Sequence, residues 1–199
     1  MSARRKSASA PPLGHDVGVA LSCFSVRSAG DADLEAIRSI LEERLLDAAE
    51  REPLVAEIDR HLNEIATAVH SEGRCSEFVV AERDGVTGVC GLRWTGIAPE
   101  LVRAGDATAE VISTYVRHVA LGAGVGRALL DEVERRARER GFGTLLIVSG
   151  SRNRSHGYPF WQKRYGVPFR WDEDYFGPGA ERVVWRHDLS SEATEAAPA

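Results

Sequence analysis

A chain of 199 residues has room for one domain with a proper core, and 43% hydrophobic with 28% charged content is ordinary for a folded protein. The formal charge of -5 argues against a general nucleic-acid surface and mildly favours cationic partners. No apolar run approaches the ~20 residues of a membrane span, and Cys23, Cys75 and Cys90 have neither metal-like nor redox spacing, so idle thiols and no metal site are expected.

Residues 1–22 begin with Arg4-Arg5-Lys6 and continue in Ser, Ala, Pro and Gly. That composition predicts a disordered leader, and the lack of an apolar segment after the basic start predicts a cytoplasmic protein with no export signal. Residues 23–189 are expected to form the domain, and 190–199 a disordered tail. Alternation over Phe24 to Arg27 reads as a short strand. Asp31 suits an N-cap for a helix with the stripe Leu34, Ile37, Ile40, Leu41 and Leu45. Pro53 fits the first turn of a second helix, whose stripe is Leu54, Ile58, Leu62, Ile65 and Val69.

Glu77 to Arg83 and Val86 to Trp94 read as strands joined by a hairpin at Asp84-Gly85. Gly96 to Asp106 is a loop by its Gly and Pro content, and Glu110 to Val119 has strand density of Val, Ile, Thr and Tyr. Gly126 to Arg140 carries Leu129, Leu130, Val133 and Ala137 at helical spacing and stops at Gly141. Thr144 to Ser149 is apolar enough for a central strand, Ser151 to His156 is a polar loop, and Pro159 suits the start of a short helix ended by Gly166. A last hairpin joins Val167 to Trp171 with Arg182 to His187 around Gly177-Pro178-Gly179.

Between the fourth strand and the third helix lies Leu121-Gly122-Ala123-Gly124-Val125-Gly126. The first helical turn has N–H groups without intrahelical partners and the positive end of the helix dipole, so an anion is favoured there, and glycines let it approach the backbone. The alternative is a tight turn that binds nothing. A dinucleotide site is excluded on two counts. Its fingerprint needs a small residue where Arg127 or Leu129 stands, and Ser149-Gly150-Ser151 supplies no acid for a ribose.

The element order, with Ala109 to Val116 leading through the glycine stretch to Arg127-Ala128-Leu129-Leu130, and with Asn153 and Phe160-Trp161-Gln162-Lys163-Arg164-Tyr165-Gly166 further on, resembles the GNAT superfamily of acyl-CoA N-acyltransferases. The resemblance covers about Phe24 to Leu189. It implies an α/β (α+β) GNAT fold: a mixed, mostly antiparallel sheet of about seven strands, splayed between the fourth and fifth, with about four helices. It also implies acetyl-CoA as acyl donor, no metal, and direct acyl transfer to the amine of a small or amino-acid-like acceptor, including a cationic one. Neither nucleic acid nor membrane is an implied partner, and a monomer or homodimer is expected. The reading from another class is a non-catalytic, GNAT-like module that binds coenzyme A or regulates a partner.

By the same resemblance, Tyr115, Val116 and Arg117 lie beside the pantetheine arm through main-chain hydrogen bonds, and the N–H groups of Gly122, Ala123, Gly124, Val125, Gly126 and Arg127 hold the pyrophosphate. Leu121 stands where the family usually has Gln or Arg, so one side-chain contact is missing. Asn153 is expected near the far end of the arm, or else as an Asx-turn residue. Glu110 is the candidate to accept the amine's proton or to anchor a cationic acceptor. The Val116 N–H is the candidate oxyanion donor. Tyr165, then Tyr158, are candidates to protonate the departing thiolate, with water as a third; Trp161 occupies the usual tyrosine place and cannot serve as an acid. His156 is a second-rank base. Asp172-Glu173-Asp174 is either an attractor for cationic acceptors or a solvated turn, and Glu42 to Glu52 is expected to wall the acceptor side.

Overall fold

The computed structural model describes residues 24–46, 55–71, 74–150, 154–155 and 157–190. Its elements are β1 (Ser25–Ser28), α1 (Leu34–Leu46), α2 (Val55–His70), β2 (Ser76–Glu82), β3 (Val86–Arg93), β4 (Thr108–Val116), α3 (Val125–Glu139), β5 (Thr144–Gly150), α4 (Gly157–Tyr165), β6 (Arg170–Asp172) and β7 (Arg182–Asp188). The seven strands form one sheet in the order β1-β2-β3-β4-β5-β7-β6. Every neighbouring pair is antiparallel except β4 with β5. Among the described residues this is the mixed, mostly antiparallel seven-stranded sheet with four α-helices that the resemblance implies.

The two faces of the sheet are covered differently. On one, Leu129, Leu130, Val133 and Ala137 of α3 and Tyr158 and Trp161 of α4 pack on Val79, Leu92, Val111, Leu145 and Trp185. On the other, Ile37, Leu41 and Leu45 of α1 and Ile58, Leu62 and Ile65 of α2 pack on Phe78, Val80, Val89 and Ile112. Each fully buried Leu or Ile contributes about 1.5–3 kcal/mol of apolar transfer. The predicted stripes are the buried faces, as an amphipathic helix against a sheet requires. No described helix is long and apolar enough to cross a membrane.

Several boundaries differ from expectation for local reasons. Asp31 does not cap α1; a 3-10 turn over Asp31–Asp33 precedes the helix, and the Asp33 carboxylate accepts from the Gly30 N–H at 2.8 Å. β4 ends at Val116, short of Val119, because His118–Ala120 forms a 3-10 turn. The final hairpin's first strand is only Arg170–Asp172, whereas α4 runs Gly157–Tyr165 with Pro159 in its first turn, as expected. The Asp84-Gly85 hairpin is present with both residues at positive φ, 53° and 115°. The leader, the tail, Pro53 with Leu54, and Cys23 lie outside the described residues; Cys75 is exposed and Cys90 buried.

One irregularity positions the site. Opposite Val89 to Gly91 on β3, β4 runs from Tyr115 to Ile112 and so contains an extra residue. Ser113 there has φ 49°, a left-handed conformation for a residue with a Cβ. The bulge resets the strand's alternation. Ile112 and Tyr115 both pack with the α1–α2 side, whereas Val111 and Val116 pack with the α3 side.

Candidate active site

β4 and β5 pair only from Thr108↔Thr144 to Val111↔Ile147. Beyond that point both strands continue without pairing to each other, which opens a wedge in the middle of the sheet. The cleft that runs through it has a volume of about 1570 Å³ and reaches from the glycine turn to α2 and the β6–β7 connection.

At one end lies the start of α3. Its N-cap is Gly124, with φ 88° and no side chain to cap the helix. The first helical hydrogen bond is from Ala128 N–H to Gly124 O, so the amides of Val125, Gly126 and Arg127 have no helical acceptor. A Cβ on Gly122 or Gly124 would meet nothing within 4 Å, but both residues have positive φ, and the space above them opens to the cleft. Gly126 is small for another reason: a Cβ there would come within 3.3 Å of the Phe160 ring. This end fits a phosphate anion. Not every expected donor is available, because the Ala123 N–H is directed to Ala120 O at 3.3 Å. Leu121 is half exposed at the rim, and its amide bonds His118 O.

Along β4 the backbone directions follow from one bond. The Arg117 N–H donates to Thr87 O at 2.9 Å, toward β3. By alternation the Val116 N–H faces the other way, into the cleft. Arg117 itself departs from the expectation of an arm contact. Its amide is spent on β3, and its guanidinium reaches α1 through Glu43 at 3.1 Å and Ser39 at 3.2 Å. Glu43 also accepts from the His118 N–H, which ties α1 to the turn before the glycines. Burial pushes the Glu43 carboxyl up, but the His118 amide and Arg117 outweigh it and hold the group below the usual carboxylate range.

At the other end are polar groups from α2 and the sheet. Glu110 lines the cleft, is buried, and is paired with the Arg93 guanidinium at 2.7 Å; Glu64 lies 3.4 Å from the same guanidinium. Burial lowers the Arg93 pKa, but the Glu110 and Glu64 carboxylates outweigh it and raise it. His61 Nδ1 is 2.8 Å from Ser113 Oγ, and its Nε2 is 3.3 Å from the Tyr115 hydroxyl. Arg44 and Leu45 of α1 form part of the wall, while residues 47–52 lie outside the described residues. His61 and Ser113 were not singled out in the sequence. The signal for His61 was present: Glu57, His61 and Glu64 recur at helical spacing beside the apolar stripe of α2.

The tyrosines proposed for the thiolate are turned elsewhere. The Tyr165 hydroxyl donates to Glu134 Oε1 at 2.7 Å and lies in a separate recess behind α4. The Tyr158 hydroxyl donates to Glu181 Oε1 at 3.2 Å, an atom that Arg154 also reaches at 2.7 Å. Burial first, and the adjacent carboxylate second, raise both phenols above their ordinary pKa. Neither lines the cleft, which is walled there by Phe160 and Trp161. Asn153 and His156 lie outside the described residues. Of the acidic run, Asp172 is paired with Arg170 and Arg182, and Asp174 accepts from the Gly179 N–H; none of the three acids lines the cleft. Neither Cys75 nor Cys90 does so either.

Comparison with known proteins agrees with this geometry. The acetyltransferase (GNAT) family profile matches residues 34–166. No curated protein sequence matches. Among solved structures, YncA of Salmonella typhimurium with its cofactor acetyl-CoA superposes with a TM-score of 0.62 at 22% identity, over 89% of this chain and 99% of that one. The PaiA N-acetyltransferase of Thermoplasma acidophilum in complex with coenzyme A gives 0.60 at 19% identity, over 83% and 99%. An N-acetyltransferase of Staphylococcus aureus gives 0.62 at 18%, over 84% and 99%. At these identities the likeness is one of fold.

Proposed function

Since the chain belongs to the acetyltransferase (GNAT) family, we propose that it is an N-acetyltransferase that uses acetyl-CoA and passes the acetyl group directly to the amine of a small molecule. The observation that carries this reading is the wedge between β4 and β5, with the uncapped start of α3 at one end and a set of acids and bases at the other. YncA and PaiA, similar in fold, are seen with acetyl-CoA and coenzyme A.

In this reading the amides of Val125, Gly126 and Arg127, with those of Gly122 and Gly124, hold the pyrophosphate, and the open wedge admits the pantetheine arm. Bound acetyl-CoA supplies the thioester that the amine attacks. The Val116 N–H, facing the wedge, stabilises the negative charge that develops on the thioester oxygen. Glu110, fixed by Arg93, anchors the acceptor's ammonium group by charge. The hydroxyls of Tyr158 and Tyr165 on α4 are bound to Glu181 and Glu134 outside the cleft, and in this reading the sulfur takes its proton from the amine or from water.

That last feature also suits a second reading, a module that binds coenzyme A without catalysis, and one experiment separates them. Coenzyme A is expected to raise the melting temperature of the protein, and Gly124→Val to abolish that shift. Thiol release from acetyl-CoA is then followed with a polyamine, an amino acid, an arylalkylamine and a short peptide as acceptors. A thermal shift without release on any of them favours the binding module. No thermal shift at all removes both readings.

A further inference from the structure

The cleft contains a histidine for which the family assignment gives no role. His61 projects from α2 and is nearly buried, with a side chain 10% exposed. Its two ring nitrogens have different neighbours. Nε2 lies 3.1 Å from Arg60 Nη2, which can only donate, so in the uncharged ring Nε2 is the acceptor and the hydrogen is on Nδ1. Nδ1–H then donates to Ser113 Oγ at 2.8 Å. Nε2 then has one lone pair, which the Arg60 N–H and the Tyr115 hydroxyl, at 3.3 Å, share as donors.

The bulge in β4 makes this possible. Ser113 at φ 49° occupies a left-handed conformation that is unfavourable for a residue with a Cβ, and its bond to Nδ1 fixes the imidazole plane. The extra residue also brings Tyr115 to the α2 side, where its ring meets His61 edge to face at 5.6 Å. Both side chains line the cleft on the side where Glu110 sits.

We infer that His61 is the group that takes the proton from the acceptor amine, through the Tyr115 hydroxyl, with Ser113 holding the ring in the required tautomer. The inference rests on the N-acetyltransferase reading and assigns within it a role that Glu110, committed to Arg93, does not fill. The proton balance is as follows. An ammonium proton passes to the Tyr115 oxygen while the phenol proton passes to Nε2, and the imidazolium later returns it to solvent. The freed amine attacks the thioester carbon, the C–N bond forms, and the C–S bond breaks with its electron pair on sulfur. The second proton lost from nitrogen ends on that sulfur. Glu57 Oε1 lies 3.8 Å from Nε2, and the Arg60 N–H gives up Nε2 when that nitrogen takes the proton. The other charged groups facing this part of the cleft are Arg44 from α1, Glu64 from α2, and Arg93 with Glu110 from the sheet.

The test uses the full chain, acetyl-CoA and the acceptor from the panel above that gives the fastest thiol release. His61→Asn keeps an amide N–H about where Nδ1 was, so the bond to Ser113 survives while the base is lost. This variant is expected to keep the coenzyme A thermal shift, to lose about 100-fold in kcat/KM at neutral pH, and to lose the acid limb of the kcat/KM profile. Tyr115→Phe is expected to lose about tenfold and to retain the limb. A His61→Asn protein with unchanged rate and unchanged limb overturns the inference and leaves a structural role only. If that variant does not fold, an unchanged rate in Tyr115→Phe overturns the relay. A native protein inert on the whole panel overturns the acetyltransferase reading itself, which is a different result from an active native protein with indifferent variants.

Discussion

The Arg93 guanidinium lies 2.7 Å from the Glu110 carboxylate, between adjacent strands paired at Arg93↔Glu110, with the Glu110 side chain 9% exposed. In the proposed reading a carboxylate so held anchors the acceptor's ammonium group and does not serve as the base. Glu110→Gln is therefore expected to raise KM for a cationic amine about tenfold with a smaller effect on kcat, and to leave the coenzyme A thermal shift intact. It also leaves Arg93 without its nearest countercharge, at a cost of about 1–2 kcal/mol given that Arg93 is partly exposed. Steady-state kinetics and a denaturant melt measure the two effects separately. Equal loss of kcat and kcat/KM with loss of the acid limb would return the proton to Glu110.

Tyr165 yields the opposite expectation. Its hydroxyl is bound to the buried Glu134 carboxylate, which also accepts from Arg164 at 2.8 Å. Tyr165→Phe removes one hydrogen bond from a carboxylate that stays buried, so stability should fall by about 1–2 kcal/mol. The rate of acetyl transfer should not change by more than about twofold, since no proton donor to the sulfur has been lost. A large fall in kcat in a protein that remains folded would show that the hydroxyl turns toward the cleft.

A pair between β1 and the 3-10 turn before α1 links stability to pH. Arg27 grips Asp33 with Nη1 at 2.7 Å and Nη2 at 2.8 Å, and the Asp33 carboxylate is nearly buried. The Arg27 hydrogen bonds, against the opposing effect of burial and with help from the Gly30 N–H, hold its pKa below the ordinary carboxylate value. A lowered folded pKa means that the stabilisation is fully present above the unfolded value near ~4 and is lost as pH falls through the folded one. Asp33→Asn should cost about 1–2 kcal/mol at pH 7, discounted for the partly exposed Arg27, and almost nothing in strong acid. Urea melts of both proteins at several pH values would show the two curves converging on the acid side.

Cys90 is expected to be chemically silent. It is fully buried, and burial pushes its thiol up to about 12 despite hydrogen bonding with Thr114 at 3.2 Å. Thiolate is the reactive form, so a maleimide at pH 7.5 should label exposed Cys75 within minutes and leave Cys90 unlabelled until the protein is denatured. Peptide mapping by mass spectrometry distinguishes the two.

Much of the architecture was determined by the sequence alone, because it depends on short-range physics. The stripe Leu129, Leu130, Val133 and Ala137 could bury itself only as one helix face, Asp84-Gly85 could only turn, and glycines before an uncapped helix leave amides free whatever surrounds them. The arrangement of polar groups at the α2 end of the cleft was decided by tertiary structure. Nothing local announces that Ser113 is an extra residue; the bulge exists only in its register against β3, and it is the register that sends Tyr115 to the α2 side. His61 meets Ser113 across 52 positions of sequence, and Glu134 claims the Tyr165 hydroxyl across 31. Periodicity shows which face of an element is buried, but a polar side chain's role is set by the partner it finds there, and that partner comes from a distant part of the chain.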